Sequence, residues 1–319
     1  MRELTSPAEL STLDDRLVAR FRLLARITAG LIGLAAAAAL CGYFFSYAPL
    51  TRIGPGLRGM PILVAASMLC LAIAALADSY LRSRLAVITA AVALLVGCTV
   101  VVEYAVIGQD TLSATLHAVF FRDPAEPAGY ISLTTGIGVM FVALALMLRR
   151  PEWRPAGDIF AGLCMIVSGY AVLEYIYGAR ALTALTPLRS MGPRPGIGLF
   201  ALSMAVIFVR PEQGWGRVVA SSLSGGPVTR RQLTLMLLPP VAGWSLLHAA
   251  GEFSIRPAAE MAMLVMLVIV PLSLLILRDG RVLDQLDLER RAKAVIQAQV
   301  QDDLKELVAI HRYRRDRSI

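Results

Sequence analysis

The chain has 319 residues, of which 57% are hydrophobic, with a mean hydropathy of +0.65 and a formal net charge of +8. A soluble domain is typically about 45–50% apolar, so this composition excludes an ordinary soluble globular protein. The positive charge does not mark a nucleic-acid surface, because most of the arginines stand between apolar segments, where they set topology.

Residues 1–22 are charged and polar, with no small-residue cleavage site after a short apolar core, so the first apolar segment is expected to be retained in the membrane. Ser6-Pro7-Ala8-Glu9 reads as a capping box with proline at the first helical position. It opens a short amphipathic helix carrying Arg16, Arg20, Arg22 and Arg26. Such a helix suits an anionic inner-leaflet surface, or equally a solvated lead into the first span.

Eight apolar segments follow, at residues 24–46, 59–79, 85–107, 130–149, 157–178, 193–209, 231–250 and 258–277. About 20 apolar residues cross the hydrocarbon core as a helix, and only helices and closed barrels satisfy their backbone hydrogen bonds there. The expected fold is all-α: a polytopic membrane protein with eight transmembrane helices and a C-terminal cytoplasmic, coiled-coil-like helix. Its expected parts are an N-terminal amphipathic segment (1–22), a membrane domain (23–278), and a signalling-type helix with a basic tail (279–319).

If the spans alternate, one side collects the N-terminal arginines, Arg82 and Arg84, Arg149, Arg150 and Arg154, Arg210, Arg217, Arg230 and Arg231, and the tail beyond Arg278. The positive-inside rule makes that side cytoplasmic and places both termini there. The loop with Arg180, Arg189 and Arg194 goes against the rule, being basic on the other side.

An internal repeat is present. Gly136-Ile137-Gly138 opens the fourth span and Arg150-Pro151-Glu152 closes it, and 60 residues later Gly196-Ile197-Gly198 and Arg210-Pro211-Glu212 do the same for the sixth. The glycines permit close helix approach, and proline ends each span. A second echo pairs Val102-Glu103-Tyr104 and Gly108 with Leu173-Glu174-Tyr175 and Gly178. The repeats share one orientation, unlike the inverted repeats of many transporters.

Taken in order, Glu103-Tyr104, Gly108-Gln109-Asp110, Phe121-Arg122-Asp123, Arg150-Pro151, Leu173-Glu174-Tyr175-Ile176-Tyr177-Gly178, Arg210-Pro211 with Gly214-Trp215, Gly225-Gly226 before Arg230-Arg231, Pro239-Pro240 with Gly243-Trp244, and Leu286-Asp287-Leu288-Glu289-Arg290-Arg291 form one pattern. Over residues 60–295 it resembles the multi-span membrane input domain of bacterial sensor histidine kinases and diguanylate cyclases. The resemblance implies a sensory role without supplying a stimulus. Relatives often carry a histidine near the start of the sixth span, where this chain has Met191-Gly192-Pro193-Arg194-Pro195, so histidine-dependent sensing is not expected there. In that family the tail leads into a PAS, kinase or cyclase domain. Here about 40 residues follow the last span, fewer than the 50–250 of an independent domain, so the expectation is a truncated input domain or a stand-alone subunit.

Ionisable residues within apolar spans are functional candidates by default. Glu103, Glu174, Glu252 and Glu260 lie near the outer ends of their spans, with His248, Arg180, Arg194 and Arg256 at similar depth. The candidate ligand or sensing residues are Glu103, Tyr104, Glu174, Tyr175, His248 and Glu252, arranged as an outward-facing polar pocket for a small cationic or polar ligand. The plainer reading has the glutamates pairing with arginines to hold helices together, and the tyrosines belonging to an interfacial aromatic belt. His248, one turn before Glu252, would sense pH or bind a metal, or serve only packing. His117 reads as a surface residue.

No metal site, cofactor or catalytic residue is expected. Cys41, Cys70, Cys98 and Cys164 all lie within apolar segments and show no CxxC spacing, as packing cysteines do. No phosphate loop, no Ser-His-Asp order and no acid pair at catalytic spacing is present, and His311 lacks a downstream nucleotide-binding domain, so the chain is not expected to be an enzyme.

In residues 279–312, Leu286, Val295 or Ile296, Val300, Leu304, Leu307 and Ile310 recur at spacings near three and four. This stripe suits a dimeric coiled coil, with a single surface-bound helix as the alternative. The expected partners are the lipid bilayer, a second copy through residues 282–310, and a cytoplasmic kinase, cyclase or response regulator; nucleic acid is not one. The expected function is signal input at the bacterial inner membrane, with a small-molecule transporter or a scaffold subunit of a larger membrane complex as alternatives.

Overall fold

The computed structural model describes residues 13–45, 47, 50, 60–80, 82–107, 111–120, 131–148, 152–177, 191–249 and 255–316. Among them the fold is all-helical, and the one extended pairing is an isolated antiparallel bridge between Leu13 and Ser221. The helices are α1 (Asp15–Phe44), α2 (Ile62–Ser79), α3 (Ser83–Ile107), α4 (Leu112–Phe120), α5 (Leu133–Met147), α6 (Arg154–Ile176), α7 (Pro193–Val209), α8 (Gly214–Ala220), α9 (Gly225–Leu235), α10 (Leu238–Ala249) and α11 (Ile255–Asp316).

Four described helices are long and apolar enough to cross a membrane: α1, α2, α3 from Arg84, and α6. Two further apolar helices, α5 and α7, are shorter. At 1.5 Å per residue the 15 residues of α5 reach about 22 Å, less than the roughly 30 Å of a typical hydrocarbon core.

The basic N-terminal stretch and the first apolar segment form one helix instead of two. Asp14 is its N-cap, with Oδ1 accepting from the backbone N–H of Arg16 at 3.0 Å and of Leu17 at 3.2 Å, which satisfies donors that a helix start leaves orphaned. The expected capping box at Ser6–Glu9 lies outside the described residues.

The seventh expected span, 231–250, is also different. The chain turns at Met236 and Leu237, so residues 231–235 belong to α9 and the rest to α10. Pro239 and Pro240 stand in the first turn of α10, where proline is tolerated. Neither could continue α9, since proline lacks the amide hydrogen and clashes with the preceding turn.

The four membrane-length helices and the two shorter apolar ones close a ring in which α1 packs on α2, α2 on α3, α3 on α5, α5 on α6, α6 on α7 and α7 back on α1, with α2 and α5 also touching α7. Small residues let the backbones approach, as in membrane helix packing. Ala29 and Ala36 of α1, Ala65, Ala72 and Ala75 of α2, and Ala90 and Ala93 of α3 are all buried in the main core. The repeat glycine Gly136 has a packing role: a Cβ there would stand 2.9 Å from Val100 Cγ1, and one at Gly97 would stand 3.0 Å from the Gly136 carbonyl.

Against this ring lies α11, where Val265, Met266 and Ile269 cover Leu173, Tyr177 and Tyr170 of α6. It spans 62 residues, about 90 Å, and Pro271 stands inside it without ending it. The last expected span and the tail are therefore one helix.

Candidate functional site

Glu103 and Glu174 stand near the C-terminal ends of α3 and α6, and both are buried. Glu103 reaches past the end of its own helix. Its Oε1 accepts from the backbone N–H of Thr111 at 2.6 Å and of Leu112 at 2.7 Å, and from the Thr111 hydroxyl. A carboxylate at this place caps the N-terminus of α4 and meets the positive end of its dipole. Its other oxygen, Oε2, is buried with no hydrogen-bond partner among the described residues. Tyr104, beside it, donates its hydroxyl to the Ile131 carbonyl at 2.7 Å. The pair thus fastens the end of α3 to the segments before and after the α4–α5 connection.

The echo of this pair on α6 is used differently. Tyr175 is exposed, and the tyrosine that makes the comparable bond is Tyr177, whose hydroxyl donates to the Pro240 carbonyl of α10 at 2.9 Å. Glu174 lies one turn beyond Tyr170 on the face of α6 that also carries Leu173 and Tyr177. No hydrogen bond or ion pair among the described residues joins Glu174 to Glu103. His248 falls in the last turn of α10, and Glu252 lies outside the described residues. Among the described residues no group of three His, Cys, Asp or Glu side chains is placed to hold a metal ion.

The opposite, basic end of the bundle holds a denser polar cluster, centred on the segment between α7 and α10. Asp78 closes α2 and is 2% exposed; its Oδ1 meets Arg210 Nη2, at the end of α7, at 2.7 Å. Arg26 of α1 donates to the Ser79 hydroxyl at 3.2 Å and carbonyl at 3.0 Å, and its guanidinium covers the Tyr80 ring at 4.4 Å. Arg22 pairs with Glu212. In the first turn of α6, Arg154 and Asp158 form a buried ion pair at 3.2 Å, and Asp158 Oδ2 accepts from the Trp215 N–H at 2.8 Å.

The same segment holds both the start of α1 and the middle of α11. The Asp14 N–H donates to the Ala220 carbonyl at 3.1 Å, beside the Leu13–Ser221 bridge. Arg230 closes the α8–α9 corner by donating to the carbonyls of Val219 at 2.6 Å and Ser221 at 3.2 Å. On α11, Asp284 accepts from the Gly225 N–H at 3.1 Å, and Asp287 accepts from the Ser224 N–H at 3.0 Å and from the Ser224 hydroxyl.

Asp78 and Asp158 are acids within apolar segments, as Glu103 and Glu174 are, and satisfy the same rule; that signal points to this cluster, which does not figure among the sensing residues expected from the sequence.

No family model, curated protein or solved structure matches the chain.

Proposed function

We propose that this chain is a signal-input protein of the bacterial inner membrane, with eight membrane segments, the seventh broken between α9 and α10, and both termini in the cytoplasm. A stimulus in the membrane or periplasm changes how the helices pack, and α11 carries the change to a cytoplasmic output domain or partner. The observation that carries this reading is the continuity of α11: one helix joins an apolar stretch packed on α6 to a polar tail in which every residue from Leu288 to Gln301 is exposed. A helix is stiff enough to transmit rotation or translation over that length, where a flexible linker would absorb it. The resemblance of the motifs to input domains of sensor histidine kinases and diguanylate cyclases supports the same reading.

The exposed Val295, Ile296, Val300 and Leu304 form the surface through which the tail pairs with a second copy as an irregular coiled coil. Glu103, Tyr104, Glu174 and Tyr175, with His248, are the candidate sensing residues at the other end, and Glu252, outside the described residues, is the sixth candidate. The relay needs two bundle arrangements that bind the stimulus with different affinity.

The test is purification from native membranes in mild detergent, comparing the full chain with one cut after Arg281. A kinase, cyclase or response regulator that accompanies only the full chain supports the relay. A stoichiometric set of other membrane subunits held equally by both forms makes the chain a scaffold, and a bare chain in both cases returns it to the transporter class.

A further inference from the structure

The crossing of α9 and α11 stands where the tail leaves the bundle. The N-terminus of α9 carries orphan amide donors and the positive end of a helix dipole. Its own N-cap, Ser224, makes no side-chain cap bond within the helix. The acceptors come from α11 instead, where Asp284 and Asp287 lie one turn apart and take the N–H groups of Gly225 and Ser224.

The two helices touch backbone to backbone. A Cβ on Gly225 would run into the Gly280 carbonyl, and one on Gly280 would run into the Thr229 hydroxyl and stand 2.7 Å from Val218 Cγ1. Thr229 is fully buried there. Close approach needs the glycines on both sides, and it brings the two carboxylates within reach of the α9 amides. From α9 the chain of bonds runs on through Arg230 to the end of α8, through Ala220 to α1, through Trp215 to Asp158 of α6, and through Arg210 to Asp78 of α2. The bonds to Asp287 are solvent-exposed, whereas those to Asp158 and Asp78 involve buried carboxylates.

We propose that the α9–α11 crossing is a latch: Asp284 and Asp287 on the amides of Ser224 and Gly225 hold the tail in one rotational setting, and rearrangement of the bundle, transmitted through the 210–235 segment, releases it. The exposed side of the linkage is the side that opens, while the Asp78–Arg210 ion pair and the Trp215–Asp158 hydrogen bond keep the segment attached to the bundle. The latch rests on the signal-relay reading and supplies its moving part.

The experiment uses the full chain in phospholipid nanodiscs. Spin labels go on exposed sites, Val228→Cys on α9 and Gln297→Cys on the tail, outside the apolar stripe, with the four native cysteines replaced by alanine and the labelled chain diluted in excess unlabelled chain. One inter-label distance is expected for the latched chain. In Asp284→Ala/Asp287→Ala, which removes both acceptors, a second distance is expected, and the amides of Ser224 and Gly225 exchange roughly tenfold faster while those of α5 keep their protection. Hydrogen exchange needs no label and is read on the chain with its native cysteines. Gln285→Asn, at an exposed position between the two carboxylates, is expected to leave both readings at the wild-type value. An unchanged single distance in the double variant overturns the latch, as does faster exchange with no second distance, which reduces the contact to a local cap. The relay reading fails separately: a second distance with no change in the activity of a co-purifying output partner overturns the relay and leaves the latch standing.

Discussion

Asp78 Oδ1 lies 2.7 Å from Arg210 Nη2 and so ties the end of α2 to the end of α7, 132 residues further along the chain. Asp78 is buried while the Arg210 side chain is 24% exposed, so loss of the arginine leaves a buried charge uncompensated, at a cost of about 3–5 kcal/mol. Arg210→Ala is therefore expected to lower the midpoint of thermal unfolding in detergent strongly. Asp78→Leu/Arg210→Met, which removes both charges, is expected to recover most of the loss. Equal midpoints for the single and double variants would mean that the ion pair does not bear on stability.

Gly214 has φ +58, in the left-handed region, and a Cβ there would collide with the Asp158 carboxylate. Gly214→Ala is expected to destabilise by at least the roughly 1–2 kcal/mol of left-handed strain, and to disturb the Asp158–Trp215 bond that positions α8. Gly30, inside α1, has nothing within 4 Å of a built Cβ. Gly30→Ala is expected to stabilise by about 0.5–1 kcal/mol. Thermal unfolding of the two variants side by side checks both signs.

The fold was readable where hydropathy alone decides it. The segments expected at 85–107, 157–178 and 193–209 correspond to helices Ser83–Ile107, Arg154–Ile176 and Pro193–Val209. At 231–250 an apolar stretch hid a break, because Pro239-Pro240 forces a new helix to start where mean hydropathy stays high. Glu103 was singled out for a sound reason, yet its bonds to Thr111 and Leu112 depend on α4, a nine-residue helix inside what reads as a loop. Ser224 and Asp287 stand 63 residues apart, and no periodicity joins them; only the helix crossing does.

The Glu103 carboxylate caps α4, and loss of a cap costs about 0.5–2 kcal/mol. Glu103→Ala is expected to speed amide exchange at Thr111 and Leu112 while α3 keeps its protection up to Val100. Unchanged exchange at those two amides would show that α4 does not depend on this side chain.

The hydroxyl and then the N–H of Ser224 hold the Asp287 carboxyl below the usual aspartate range; partial burial opposes them, and Arg291 and Arg290 add to the lowering. A depressed folded-state value gives a contribution that is complete above the ordinary value of about 4 and is lost as pH falls through the lowered one. The Ser224–Asp287 bonds are thus expected to be insensitive to pH near neutrality and to weaken only in acid. The carboxyl carbon of Asp287, followed by NMR, is expected to titrate at lower pH in the wild type than in Ser224→Ala. Identical midpoints would remove the hydroxyl as the cause.

The proposed relay makes α11 the carrier of a rotational setting from the bundle to an output partner. Inserting one to about seven alanines, up to roughly two helical turns, after Ala292 and measuring, for each length, the activity of any kinase or cyclase that co-purifies tests this relay most directly. The account predicts activity that rises and falls with the helical repeat, returning toward the wild-type level when the insert completes a turn. Activity independent of insert length would contradict it.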